Sequence, residues 1–107
     1  PYLWGYVQNI HYLSGDLARA IDAGQKAGAS IANLPGWHAA ALWEAGQTRE
    51  AARVASDFLI AAQRHWVSTT PFSAEALARW LVACFPLNPQ EQSARLGRSL
   101  GEALALV

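Results

Sequence analysis

Three histidines, one cysteine and eight carboxylates are the side chains of this 107-residue chain that could move protons, attack an electrophile or hold a metal. A structural or catalytic zinc needs three or four such ligands brought together, usually in short-spaced pairs. His11, His38 and His65 stand far apart and form no i, i+4 pair. His38 falls on a normally apolar helix position and reads as a packed or edge histidine. His65, beside Trp66, reads as helix-end surface. A nucleophile needs an adjacent base. Cys84 instead shares a stripe with Leu77, Trp80 and Leu81, so it reads as a packed thiol. One cysteine makes neither an internal disulfide nor a zinc cluster. No G-x-S-x-G turn occurs, and Gly97 and Gly101 do not make a phosphate loop. Asp16, Glu50 and Glu91 fall at helix starts, where the dipole favours negative charge. Glu44 is the acid that can face a groove. The expectation is therefore no catalytic residue, no cofactor and no metal in this segment.

The elements that would position any site are helical. Alanine, the best helix former, is frequent, and no alternating strand pattern bounded by turn residues is found. Hydrophobic residues make up 52% and charged residues 15%, which excludes a disordered segment. The eight acids balance the eight bases, so no basic stripe can grip a phosphate backbone and no nucleic-acid partner is expected. No run of 18 apolar residues is present, and no basic segment followed by an apolar one opens the chain, so neither a membrane span nor a signal peptide is expected. The lone cysteine fits a reducing, cytoplasmic setting.

Six helices are expected. The first runs from about Leu3 to Leu13 and ends at Ser14-Gly15. The second runs from Asp16 or Leu17 to Ala27, with Gly24 permitting a close helix approach and Gly28 ending it. Asn33 as cap and Pro35 in the first turn begin the third, about Leu34 to Ala45, which Gly46 stops. The fourth, Thr48 to Arg64, repeats Ala51, Val54, Ala55, Phe58, Leu59 and Ala62 at helical spacing. The fifth covers about Ser73 to Phe85. Asn88-Pro89-Gln90-Glu91 opens the sixth, with Leu96, Leu100 and Leu104 at four-residue steps.

Two stretches repeat. Tyr12-Leu13-Ser14-Gly15 leading to Ala20 matches Trp43-Glu44-Ala45-Gly46 leading to Ala51, 31 positions later. A glycine makes the hairpin turn, and a small residue one turn into the next helix lets the pair cross closely. Trp4, Tyr12, Gly15-Asp16, Ala20 and Ala27 resemble the tetratricopeptide pattern. The second unit is about three residues short of the usual period of about 34. Ala78-Arg79-Trp80, then Phe85-Pro86-Leu87-Asn88-Pro89 and a leucine-spaced helix, resemble the closing segment of repeat regions in bacterial class III adenylate/guanylate cyclases and winged-helix regulators. Leu87 stands where an aromatic is usual, and the usual Gly-Leu-Pro after the helix is missing. The resemblance implies an all-α, tetratricopeptide-like α-α superhelix. Residues 1–31 would be one repeat, 32–66 a second and 71–107 a two-helix closing segment, in a fragment of a longer protein.

The resemblance also implies a concave face lined by the first helix of each pair. Tyr2, Gly5, Asn9 and Tyr12 would face it from the first unit, and Asn33, Gly36, Trp37, Ala40 and Trp43 or Glu44 from the second. Asn9 matches the asparagine with which chaperone-binding members hold a peptide carboxylate. Gly5 replaces the expected lysine, and Trp37 and Ala40 the other clamp residues, so the face suits an apolar segment instead. The expected function is non-catalytic: a scaffold or docking segment of a larger cytoplasmic signalling protein. Its partner would be a protein or peptide, or upstream domains of the same chain. A homodimerisation module through the first-helix aromatics, and a small-molecule sensor with a pocket between the repeat pair and the last two helices, are the alternatives.

Overall fold

The computed structural model describes residues 2–28, 34–66, 70–84 and 90–107, with the backbone alone for Tyr2, Cys84 and Gln90. Among the described residues the chain is all-α. The helices are α1 (Tyr2–Ser14), α2 (Leu17–Ala27), α3 (Leu34–Glu44), α4 (Thr48–Arg64), α5 (Ala74–Cys84) and α6 (Gln90–Leu104). None of them is long and apolar enough to cross a membrane. The expected cap at Asn33 and the Phe85–Pro89 motif with its Asn88-Pro89 cap lie outside the described residues, as does the side chain of Cys84.

Local chemistry accounts for the helix ends. Gly15 and Gly46 take positive φ, +87° and +80°, the left-handed region that glycine enters without steric cost. Around both, the turn is the same. The Gly15 N–H donates to the Tyr12 carbonyl and the Asp16 N–H to that of His11, at 3.1 and 2.9 Å. Gly46 donates to Trp43 and Gln47 to Leu42, at 3.0 and 2.9 Å. The repeat read from the sequence is thus a repeat of backbone geometry at the two hairpin turns. Asp16 caps α2 by accepting the Arg19 N–H at 3.2 Å, and Ser73 caps α5 by accepting that of Ala76 at 3.0 Å. Gly28 ends α2, its N–H donating to the Gly24 carbonyl at 3.0 Å.

α3 is the central element. It packs against α1, α2, α4 and α6, and from Gly36 to Leu42 every residue is buried. Apart from His38 and the terminal Glu44 its residues are apolar on every side, as expected of an enclosed helix. The alanines at 39, 40 and 41 keep it thin enough to be surrounded. α6 folds back on α3 and α4 and buries Leu96, Leu100, Ala103 and Leu104 there, while α5 packs chiefly on α6. The close approach expected at Gly24 is present: an added Cβ would come within 2.4 Å of Gln8 Oε1 and 2.8 Å of the His38 ring.

Gly36 is the tight point between α3 and the helices α4 and α5, because a Cβ there would stand 2.9 Å from Leu81 Cδ2 and 3.0 Å from the Phe58 ring. Alanine gains helix propensity at this position, but the buried ring and the buried leucine must both shift. Gly36→Ala should lower stability by about 1–2 kcal/mol net. A urea midpoint at or above that of the parent protein would show that α4 and α5 are free to move away from α3.

Candidate functional site

Glu44 is the last residue of α3, where the negative end of the helix dipole makes a carboxylate unfavourable unless donors surround it. Donors do surround it. The Tyr12 hydroxyl donates to Oε2 at 2.5 Å and Ser99 Oγ to the same oxygen at 2.8 Å. Arg95 donates through Nε at 2.9 Å and pairs through Nη2 at 2.7 Å, both on Oε1. The same guanidinium donates from Nη1 to the Tyr12 carbonyl at 3.0 Å and lies 4.2 Å from the centre of the Tyr12 ring. Gln92 donates to the Leu13 carbonyl at 3.0 Å, and Trp43 Nε1 to Glu102 Oε2 at 2.5 Å. Gln92, Arg95, Ser99 and Glu102 recur at steps of three and four, so α6 presents one polar stripe to the ends of α1 and α3.

Burial alone would raise the Glu44 pKa. The hydrogen bonds from Arg95, Tyr12 and Ser99 outweigh it and hold the carboxyl below its ordinary value. Tyr12 moves up, through burial first and then through the hydrogen bond and charge of Glu44. A carboxylate with three donor side chains and a tyrosine held neutral are poorly placed for proton transfer. This cluster is a joint.

The joint decides where the expected groove residues lie. Tyr12 and Ala40 are 0% exposed and Trp37 1%. Tyr12 and Trp37 meet edge to face at 5.6 Å in the core. These three therefore do not line an open face, because α3 is enclosed by α1, α2, α4 and α6 and Arg95 of α6 covers Tyr12. Asn9 is half-buried, and its Oδ1 accepts from Gln8 at 3.3 Å. Trp43 is half-buried under Glu102, and Glu44 is the centre of the joint. The side chain of Tyr2 and all of Asn33 lie outside the described residues. Sequence reading did not pick out Arg95 or Ser99, although the three-and-four spacing of the α6 polar stripe was a usable signal.

Two open surfaces stand out among the described residues. One is the outer face of α1, where Leu3, Tyr6 and Ile10 are 63%, 59% and 65% exposed, with Trp4 beside them under the Lys26 ammonium. The other is a cleft of about 810 Å³ between α2, α3, α4 and α5, walled by Phe58, Leu77, Trp66 and Trp80 with His38 and Arg53 on its border. Burial lowers the His38 pKa, the Arg53 charge lowers it further, and Glu50 opposes both, so the imidazole is neutral at pH 7. Arg53 is itself paired to Glu50 at 3.0 Å and to Asp57 at 3.5 Å. Among the described residues no three His, Cys, Asp or Glu side chains converge. Comparison with protein-family models, curated proteins and solved structures finds no match for this chain.

The Glu44 joint ties stability to pH. Its folded pKa lies below the ordinary 4.5, so the stabilisation is complete above that value and is lost as pH falls through the folded one. Glu44→Gln should cost about 2–3 kcal/mol at pH 7, since it leaves a part-buried guanidinium without its anion. The variant should then lose less stability than the parent between about pH 5 and pH 3. Parallel acid slopes in urea titrations of the two proteins would show that Glu44 is not the linked group.

Proposed function

We propose that this chain is a non-catalytic docking module, built on tetratricopeptide-like helix pairs, that receives a helical hairpin on the outer face of α1. The composition of α1 carries the reading. Its thirteen residues include no Asp, Glu, Lys or Arg. In this it is closer to α3, the helix enclosed on every side, whose single such residue is the terminal Glu44, than to the charged outer helices α2 and α4. Yet α1 presents Leu3, Tyr6 and Ile10 to solvent.

The internal repeat supports a helical hairpin as the occupant. At the offset of 31 positions set by Gly15 and Gly46, Leu3, Tyr6 and Ile10 correspond to Leu34, Trp37 and Ala41, all buried. Leu34 lies over Gly5 of α1, where an added Cβ would meet its Cδ1 at 2.6 Å. Trp37 packs its ring against Tyr12. A hairpin of the same build set against α1 would bring its own glycine to Leu3 and its own aromatic ring to Tyr6. A continuous apolar stripe of this kind is what an interaction face needs. The parent would be a cytoplasmic signalling protein of the cyclase or winged-helix regulator type, a reading that rests on the Ala78–Pro89 resemblance. A second copy meeting this one through the same stripe is the competing occupant.

A tandem duplication tests the proposal. A copy of residues 3–33 placed directly ahead of Leu3 keeps the 31-residue register and supplies the hairpin in cis. The extended protein should unfold at a clearly higher urea concentration. Leu3→Glu with Ile10→Glu in the original copy should remove most of that gain, at least about 2 kcal/mol for two buried side chains lost. A duplicated hairpin that leaves the midpoint unchanged, or melts separately, overturns the reading. A concentration-dependent dimer of the parent chain that the same two substitutions abolish would assign the face to a second copy.

A further inference from the structure

The cleft between α2, α3, α4 and α5 is separate from the α1 face and from the Glu44 joint, and neither accounts for it. Its volume of about 810 Å³ is within the span of sites that hold drug-sized molecules. The walls are mainly apolar and aromatic: Val54 and Phe58 from α4, Leu77 and Trp80 from α5, and Trp66. Trp66 is held in place, because its Nε1 donates to the Thr70 carbonyl at 2.8 Å and its ring meets those of Phe72 and Trp80 edge-on at 5.2 and 6.5 Å. The aromatic wall is therefore already formed and loses little freedom when a ring is laid against it.

Charge narrows the class of ligand. The cleft is bordered by Arg53 and Asp57, 3.5 Å apart, and Arg53 is also paired with Glu50. With those charges engaged, an ion entering the cleft would lose hydration without gaining a free counter-charge. Gln25 and His65 also border the cleft, and the polar side chain buried against it is His38. This residue is 8% exposed and borders the cleft, and its Nε2 is buried with no hydrogen-bond partner among the described residues. A buried polar atom of this kind is costly unless something satisfies it. Gly24, also on the cleft border, has no side chain because His38 and Gln8 occupy the space a Cβ would need.

We infer that this cleft binds an uncharged, mostly aromatic small molecule that lies against Trp66, Trp80 and Phe58 and gives one N–H or O–H to His38 Nε2. Rings of this type gain from stacking and edge contacts as well as from leaving water. The single donor sets which end of the molecule enters first.

N-phenyl-1-naphthylamine is a suitable probe, since it is neutral, has fused rings and carries one N–H. 1-Benzylnaphthalene has the same shape without the N–H. The amine can be followed by its emission and by tryptophan quenching in the full chain, and the hydrocarbon by its displacement of the amine. The amine should bind saturably, one molecule per chain. Ala61→Trp, at an exposed position on the cleft rim, should weaken both probes by at least about tenfold, because the indole takes up their space. His38→Phe should weaken the amine by about tenfold, one hydrogen bond, and leave the hydrocarbon within about twofold. Leu3→Glu with Ile10→Glu should leave both probes bound as before, which separates this site from the docking face. Circular dichroism checks that each variant is folded. No saturable binding below about 100 μM, a weak limit for a site of this size, overturns the inference. So does binding that survives Ala61→Trp, that is lost with Leu3→Glu and Ile10→Glu, or that falls equally for both probes in His38→Phe.

Discussion

A single guanidinium lies between the C-terminal ends of two helices, and the arrangement of the rest follows from its position. Helices end with carbonyls that lack intrahelical partners and with a partial negative charge. α1 and α3 end close to each other, and α3 adds the full negative charge of Glu44 at the least favourable place. Arg95 answers both ends, donating to the Tyr12 carbonyl of α1 and pairing with Glu44 of α3 at 2.7 Å. Gln92 supplies the Leu13 carbonyl from the same face of α6. Ion pairs at a protein surface contribute little, but this one is largely shielded, two-pronged and joined to a tyrosine and a serine. It fastens to the ends of α1 and α3 the helix whose Leu96, Leu100, Ala103 and Leu104 are buried in the core.

With α6 in that position, the functional surfaces move. The aromatic residues that a repeat pattern would place along a concave face become the interior of the domain, with Trp37 and Tyr12 ring to ring. What stays outside is the face of α1 that no described element covers, and the space left between α2 and α4. The α1 face is apolar and continuous, suited to another helix. The cleft is walled by rings and bordered by the His38 imidazole, whose Nε2 has no hydrogen-bond partner among the described residues, and is suited to a small molecule. The two are independent in position and chemistry, so the two proposed roles share no residues.

The small residues make the enclosure of α3 feasible. Three consecutive alanines and Gly36 keep it narrow, and Gly5 and Gly24 on its neighbours admit Leu34 and His38. Enclosure of this kind gives a short chain a core without long helices. It also leaves little tolerance, since a methyl group at any of the three glycines meets a neighbouring side chain at less than 3.0 Å.

The sequence by itself determined the helices and both hairpin turns. Caps, glycines and apolar spacing act over a few residues, so Gly15, Gly28, Gly46, Asp16 and the α4 stripe could be read without knowing what they pack against. It also determined the 31-residue repeat of the turns, because the same local backbone demands the same residues. Which face of each first-type helix is open was decided only in three dimensions. That choice depends on α6, some fifty residues beyond Glu44, and on a bond between Glu44 and Arg95 that no local pattern announces. The exposed stripe on α1 lies between the two cases. Its lack of charge was visible in the sequence, but only the placement of Leu3, Tyr6 and Ile10 at the surface turned an apolar helix into a candidate interface.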